Sequence, residues 1–404
     1  MPRSDPQSVA GCSMAIAAVV AAAGCGLAAA PRGVLPEAPF RHPGVLVNRG
    51  QLDFLREKVK SGEQPWTGLF ERMKREYGDL SWTPRPRPVV DCGPYSRPNN
   101  GCSEERNDAV AAYTHALLWY VTEQPAHAAK AREILDVWSA SLTGHTGHNA
   151  RLQAGWAAAV FVRGAEIIRH TGGGWPAAEV ARFEKLLQQV FLPMVAQSAG
   201  GTNGNWDLVM TEAALQIGVF LDARSVFDQA VARWRRRVPA YFYLESDGPL
   251  PVAPPDAGKD SASLLLEYWH DQHRLVNGLS QETCRDLGHT GYGIASAISL
   301  AETAFQQGVD LYREHSARLR AALEFHAGYL LEQPVPGWLC GGRLDRRLVP
   351  TWEIGLNHYG KRLGLPLPLS QRLVETRVRA HGGVNHHIVW ESFTHAGVGW
   401  VGLR

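Results

Sequence analysis

The stretch Trp206-Asp-Leu-Val-Met-Thr-Glu-Ala-Ala-Leu-Gln-Ile-Gly-Val-Phe220 carries apolar residues at 206, 209, 210, 213, 217 and 220, one stripe at helical spacing. It predicts an amphipathic helix with one buried face. Working outward, the same period recurs at about 50–61, 66–76, 107–122, 126–142, 150–170, 177–198, 224–236, 261–273, 290–307, 310–332, 351–362 and 369–378. Pro65, Pro125, Pro176 and Pro350 stand at first-turn positions, where a missing N–H costs nothing. Strand signals are confined to 240–244 and 386–390. Short turns such as 171–176 alternate with long loops at 78–106, 143–149, 199–205, 237–260, 334–349 and 379–392. Helical hairpins joined in this way predict an all-α fold, an α/α toroid with its long loops on one rim, and such loops are where function concentrates. No flexible linker divides 31–404, so a single domain is expected there.

The 404 residues carry 41 Lys+Arg against 39 Asp+Glu, a formal net charge of +2. No global basic field exists to attract nucleic acid, and an anionic partner must be held by locally placed residues. The 13 Trp, 11 Tyr and 12 Phe suit core packing and an aromatic-lined groove. Arg3, an apolar run at 14–23 and small residues through Ala30 read as a secretory signal peptide over 1–30. Ala22-Ala-Gly-Cys25 loosely matches a lipoprotein processing site, which keeps a lipid anchor at Cys25 as an alternative to a free secreted or periplasmic form. No later stretch is apolar for long enough to span a bilayer, and a monomer is expected. Export leaves Cys92, Cys102, Cys284 and Cys340. The first two bracket a turn-rich loop that a disulfide would staple; whether Cys284 and Cys340 pair is open. The absence of a Cys-x-x-Cys motif argues against a structural zinc module.

Two polar clusters stand out. Gln281-Glu-Thr-Cys-Arg-Asp-Leu-Gly-His-Thr-Gly-Tyr-Gly293 places Arg285, His289 and Tyr292 four and three apart, on one face if helical, with Gly288, Gly291 and Gly293 removing bulk around them. Gly200-Gly-Thr-Asn-Gly-Asn-Trp206 sets Asn203 and Asn205 at a helix start, where an amide can cap the helix or face an anionic ligand. His270 and His273 share a helical face in 268–273, but their spacing of three and lack of a carboxylate partner argue against a metal. Trp352-Glu353, Asn357-His-Tyr359 and Asn385-His-His387 are weaker sugar-contacting candidates.

Arg285-Asp-Leu-Gly-His-Thr290 behind Gln281-Glu282, together with Asn203-Gly-Asn-Trp206 upstream, resembles the alginate lyase-type domain of secreted polysaccharide lyases, over about 45–400. The branch suggested is polysaccharide lyase family thirty-eight. The resemblance implies an α/α barrel and cleavage of a uronic acid polymer by β-elimination, with no cofactor or metal. The chain departs from the Asn-Asn-His pattern of better-known alginate lyases by reading Asn203-Gly204-Asn205, which leaves the base open.

β-Elimination removes the C5 proton beside a carboxylate, so the carboxylate's charge must be neutralised as the enolate develops. Asn205 and Arg285 are the candidates for that role. Tyr292 is the candidate proton-transfer group, able to act as base and acid if nearby cations favour its phenolate, and His289 can orient it, neutralise the carboxylate or serve as a separate base. Substrate contacts are assigned to Asn203, Trp206, His270, Tyr95, Arg97, Trp352 and His386. The alternatives are a glycoside hydrolase, drawing two carboxylates from Asp207, Asp256, Asp260, Asp286 and Glu353, and a non-catalytic carbohydrate-binding protein.

Overall fold

Four long helices, Cys102–Thr122, Ala150–His170, Gly204–Phe220 and Leu287–Gln306, are buried along most of their length. Each packs on the next in that order, and the ring continues through Glu353–Leu356, Glu391–His395 and Arg49–Lys60 back to Cys102–Thr122. Pro125–Ser141, Arg224–Arg237 and Ser316–Leu330 pack outside on their inner partners. This is the expected α/α toroid. The computed structural model describes residues 38–198, 201–255 and 257–401. The expected signal segment and the Cys25 anchor lie outside the described residues. No helix among the described residues is long and apolar enough to cross a membrane.

Gly204–Phe220 departs from the expected one-sided burial, since every residue but Trp206 is buried. Wedged between Ala150–His170, Leu287–Gln306 and Arg224–Arg237, it has no solvent face to offer. Its charged residues are paired internally. Asp207 pairs with Arg233 and Arg237, Glu212 with Arg163, and Gln216 donates to Glu212. Polar residues on a helical pattern thus mark a buried network here, which is tolerated only because each member has a partner.

The helix expected at 261–273 spans only Ala262–Tyr268. His270 and Asp271 both take φ of 56°, a left-handed turn that ends the helix, so His270 and His273 do not share a helical face. Two small sheets lie in the long loops. Val89–Cys92 (β1) pairs antiparallel with Asn99–Asn100 (β2) and parallel with Gly144–Thr146 (β3). Val384–Asn385 (β4) and Ile388–Val389 (β5) form a hairpin where a strand was expected at 386–390. The segment at 240–244 makes only an isolated bridge, Phe242 to Ser280.

Cys92 and Cys102 form the expected disulfide, and Cys284 and Cys340 form a second one. The second ties the start of Leu287–Gln306 to the long loop that carries Arg347.

Candidate active site

The two sequence clusters meet. The N-terminus of Gly204–Phe220 has no side-chain cap of its own, and Gln281-Glu282 supplies one from 77 residues away. Gly204 N–H donates to Gln281 Oε1 at 3.0 Å, and Asn205 N–H to Glu282 Oε2 at 3.1 Å. Glu282 is fully buried and also accepts from Asn205 Nδ2 (2.7 Å), Tyr241 Oη (3.0 Å) and Arg285 Nη1 (2.8 Å). Leu287–Gln306 is capped by Asp286, which accepts the His289 N–H at 2.7 Å. The same carboxylate lies 2.5 Å from His289 Nδ1 and 3.1 Å from Arg347 Nη2. Burial opposes ionisation of Asp286, but the His289 hydrogen bonds and the charges of His289 and Arg347 hold its carboxyl down to about 2.

Around this junction opens a cleft of about 590 Å³. The first two turns of all four inner helices reach it, with Ser103 and Arg106, Leu152 and Trp156, Asn205 and Trp206, and His289 and Tyr292 in its lining. Parallel helix N-termini at one rim favour negative charge there. Arg97, Arg106, Arg285 and Arg347 add cationic groups, and no Asp or Glu among the described residues lines the cleft.

Tyr292 Oη donates to Asn385 Oδ1 at 3.0 Å and lies 3.3 Å from His386 Nδ1. Burial raises its pKa against the opposing pull of Arg347, Asn385 and Arg106. The hydroxyl therefore rests protonated. The expected cations are present, yet desolvation outweighs them, so the phenolate is not the resting form. His386 Nδ1 is 2.6 Å from Asn385 Oδ1, an acceptor, so that nitrogen carries the proton. Burial, then Arg106, Arg347 and His289, push the His386 pKa down to about 3, leaving a neutral ring 4.2 Å from that of Trp156.

Of the residues singled out in sequence, Tyr95, Arg97, Asn205, Trp206, Arg285, His289, Tyr292 and His386 line the cleft. Asn203, His270 and Trp352 do not. Asn203 sits behind the wall, its Oδ1 accepting from Gln281 Nε2. His270 sits in the left-handed turn that ends its helix, outside the cleft lining. Trp352 is a core residue, 1% exposed, whose indole donates to Leu323 O, and Glu353, Asn357, His358 and Tyr359 are buried with it.

Asn205 lines the cleft without a donor to spare. Its amide nitrogen contacts both oxygens of Glu282, and its Oδ1 is buried without a partner. Arg285 likewise spends a guanidinium nitrogen on Glu282, and it precedes the helix that holds His289 and Tyr292. The glycines of the cluster make room for protein rather than for a sugar. A Cβ at Gly288 would overlap the Arg347 guanidinium, one at Gly291 the Val349 side chain, and one at Gly293 the Tyr241 ring.

Sequence reasoning missed Arg106, His148, Trp156 and Arg347. Glu104-Glu105-Arg106-Asn107-Asp108 reads as a solvated charged face, and Arg347 sits among other arginines in a loop. Nothing local marked either one. The described group able to offer three metal ligands, His42, Glu166 and His170, does not line the cleft. Its two imidazoles stack at 14°, so one ion cannot lie in both ring planes, and His42 instead bridges Glu166 and Asp222.

The alginate lyase family profile matches residues 85–253, a stretch that holds Arg106, Trp156 and Asn205 and ends before Arg285. No curated protein matches the sequence. Among solved structures the chain is similar to alginate lyase A1-III from Sphingomonas species A1, with TM-score 0.56 and 17% identity over 80% of this chain and 90% of that one. A histidine-to-alanine variant of that enzyme complexed with a tetrasaccharide gives 0.56 and 18% over 83% and 92%. An alginate lyase from Bacteroides ovatus gives 0.56 and 12% over 84% and 97%. These structural likenesses support the toroid, and the matched profile supports the resemblance to alginate lyases over that stretch; none carries the branch number.

Proposed function

We propose that this chain, of the alginate lyase type over residues 85–253, cleaves a uronic acid polymer such as alginate or glucuronan by β-elimination outside the cytoplasm. The observation that carries the reading is a cationic cleft with a buried tyrosine hydroxyl and, among the described residues, no carboxylate in its lining. A hydrolase of the ordinary kind needs two carboxylates across the scissile bond. Asp207 is buried between arginines, Asp260 is exposed, Asp286 and Glu353 are absent from the lining, and Asp256 lies outside the described residues.

In the proposed reaction the carboxylate of the sugar is neutralised in the cleft, which makes its C5–H acidic. His289 takes that proton on Nε2, because Asp286 at Nδ1 fixes the tautomer and stabilises the imidazolium, as a carboxylate does for a general-base histidine. The electron pair moves into the C4–C5 bond and the C4–O4 bond breaks. Tyr292, already a phenol, protonates the departing O4. Trp206, Trp156 and Tyr95 offer apolar faces for sugar rings. The two disulfides are compatible with an exported protein.

An absorbance assay on alginate blocks, glucuronan, hyaluronan and pectate tests the reading. A lyase produces a C4–C5 double bond that absorbs in the near ultraviolet. New reducing ends without absorbance identify a hydrolase, and binding with neither product identifies a carbohydrate-binding protein.

A further inference from the structure

Four arginines line the cleft, and they differ in what already holds their charge. Arg285 is paired with Glu282 and Arg347 with Asp286. Arg97 is exposed on the disulfide-bonded loop. Arg106 is half-buried and has no carboxylate partner among the described residues; its Nη1 donates to the side-chain oxygen of Gln153.

Gln153 is fully buried, and its orientation is fixed from behind. Its Nε2 donates to Cys102 O at 3.0 Å and to Glu105 Oε2 at 2.6 Å, so only the amide oxygen can face Arg106. Glu105, also fully buried, has its other oxygen 2.8 Å from His145 Nε2. The nearest counter-charge is thus held one neutral amide away. This arrangement positions the guanidinium without neutralising it, and the remaining nitrogens of its fork stay available for a two-pronged contact. Burial works against the cation, with Glu105 and Tyr292 offsetting only part of that cost. The guanidinium lies 5.6 Å from the Trp156 ring, which in turn neighbours Tyr292 (6.3 Å) and His386 (4.2 Å).

We propose that Arg106 receives the carboxylate of the sugar that reacts, with Gln153 as the positioning residue that keeps Glu105 from capturing it. The proposal rests on the lyase reading for its chemistry, in that the anion neutralised by Arg106 is the one beside the C5 proton. Asn205, whose amide nitrogen is spent on Glu282, and Arg285, whose charge Glu282 already balances, then shape the wall rather than meet the anion. Arg106 also sits beside the proton-transfer tyrosine, where a carboxylate held by the fork would bring C5 and O4 within reach.

The test is binding rather than turnover. Saturated tetramers of mannuronate, guluronate and glucuronate, and the same tetramers with their carboxyls reduced to alcohols, are titrated calorimetrically into full-length Tyr292→Phe protein and into Tyr292→Phe carrying Arg106→Gln or Arg106→Lys. Arg106→Gln should weaken binding of the preferred uronate about tenfold or more and flatten its salt dependence, leaving the reduced tetramer unchanged. Arg106→Lys should recover part of the affinity, and it carries the comparison if the Gln variant fails to fold. An Arg106 variant within twofold of its parent, an equal loss for charged and reduced tetramers, or no binding of any uronate by the parent would overturn the proposal. Absence of unsaturated product from the wild-type protein, with uronate binding intact and sensitive to Arg106, would instead remove the lyase reading alone.

Discussion

At the scale of single residues, the site depends on where protons already sit. Tyr292 holds its proton against two arginines because burial costs the phenolate more than Arg347 and Arg106 return. It is prepared to give a proton before it can take one. Tyr292→Phe removes only that hydroxyl, and the Asn385–His386 contact remains to hold the hairpin. Turnover should fall by about 10²–10⁴ with little change in KM, since the ring still packs against the sugar. Steady-state kinetics on the best uronate polymer decide this, and a variant that keeps most of its turnover would make the tyrosine structural. His289 and Tyr292 were legible because a helix brings positions three apart together. Arg106 was not, because its distinction is the carboxylate it lacks, and that is known only once Gln153 and Glu105 are in place.

At the scale of elements, the inner helices approach one another through glycines whose neighbours come from distant segments. Gly288 and Gly293 stand on the same helix and give opposite expectations. At Gly288 the added methyl meets the tip of Arg347, a flexible side chain that can swing aside, and alanine is the better helix former by about 0.8–1.0 kcal/mol. Gly288→Ala should keep or raise stability yet cut activity, because Arg347 is displaced from Asp286 and from the cleft. At Gly293 the methyl meets the Tyr241 ring, which is fully buried and fixed to Glu282 by its hydroxyl. Overpacking there costs about 1–3 kcal/mol, more than the helical gain, so Gly293→Ala should lower stability. Chemical denaturation and activity measured side by side separate the two, and matching behaviour would refute this account. A run of glycines in sequence announces that space is needed without saying what fills it.

At the scale of the whole molecule, two devices tie the rim and the interior together. The Cys284–Cys340 bridge spans 56 residues and fastens the Arg347 loop beside Asp286. In the chain-entropy view a loop of that length is worth about 4 kcal/mol, so replacing both cysteines by serine should lower the denaturation midpoint and loosen the loop. Mass spectrometry showing free thiols at 284 and 340 in the folded, unreduced protein would remove the premise. The second device is Glu391, fully buried, where burial outweighs the Thr351 hydrogen bond and the Arg163 charge and pushes its pKa up to about 8. Above the ordinary carboxylate range the unfolded chain releases this proton while the folded chain keeps it. Stability from this group is therefore present at acid pH and is lost as pH rises from about 4.5 toward 8, at up to about 1.4 kcal/mol per pH unit. Glu391→Gln keeps an acceptor for Thr351 and never ionises. Its stability should match that of the wild type near pH 4 and exceed it by a few kcal/mol at pH 8. Denaturant titrations showing a gap that does not widen with pH would contradict this.

The sequence by itself determined most of the helices, their order and the toroid, because a period of 3.6 and a proline at a first turn are local properties of the chain. It also singled out Arg285, His289 and Tyr292, which line the cleft, and it bracketed the loop that the Cys92–Cys102 bridge closes. Only the tertiary structure decided which groups face the cleft. It turned Trp352 into the core, left His270 out of the cleft lining, gave the amide of Asn205 to Glu282, gave the glycines to Arg347, Val349 and Tyr241, and brought Arg106, Trp156 and Arg347 to the rim. Charge compensation and burial are set by contacts between segments tens to hundreds of residues apart, and no spacing along the chain encodes them.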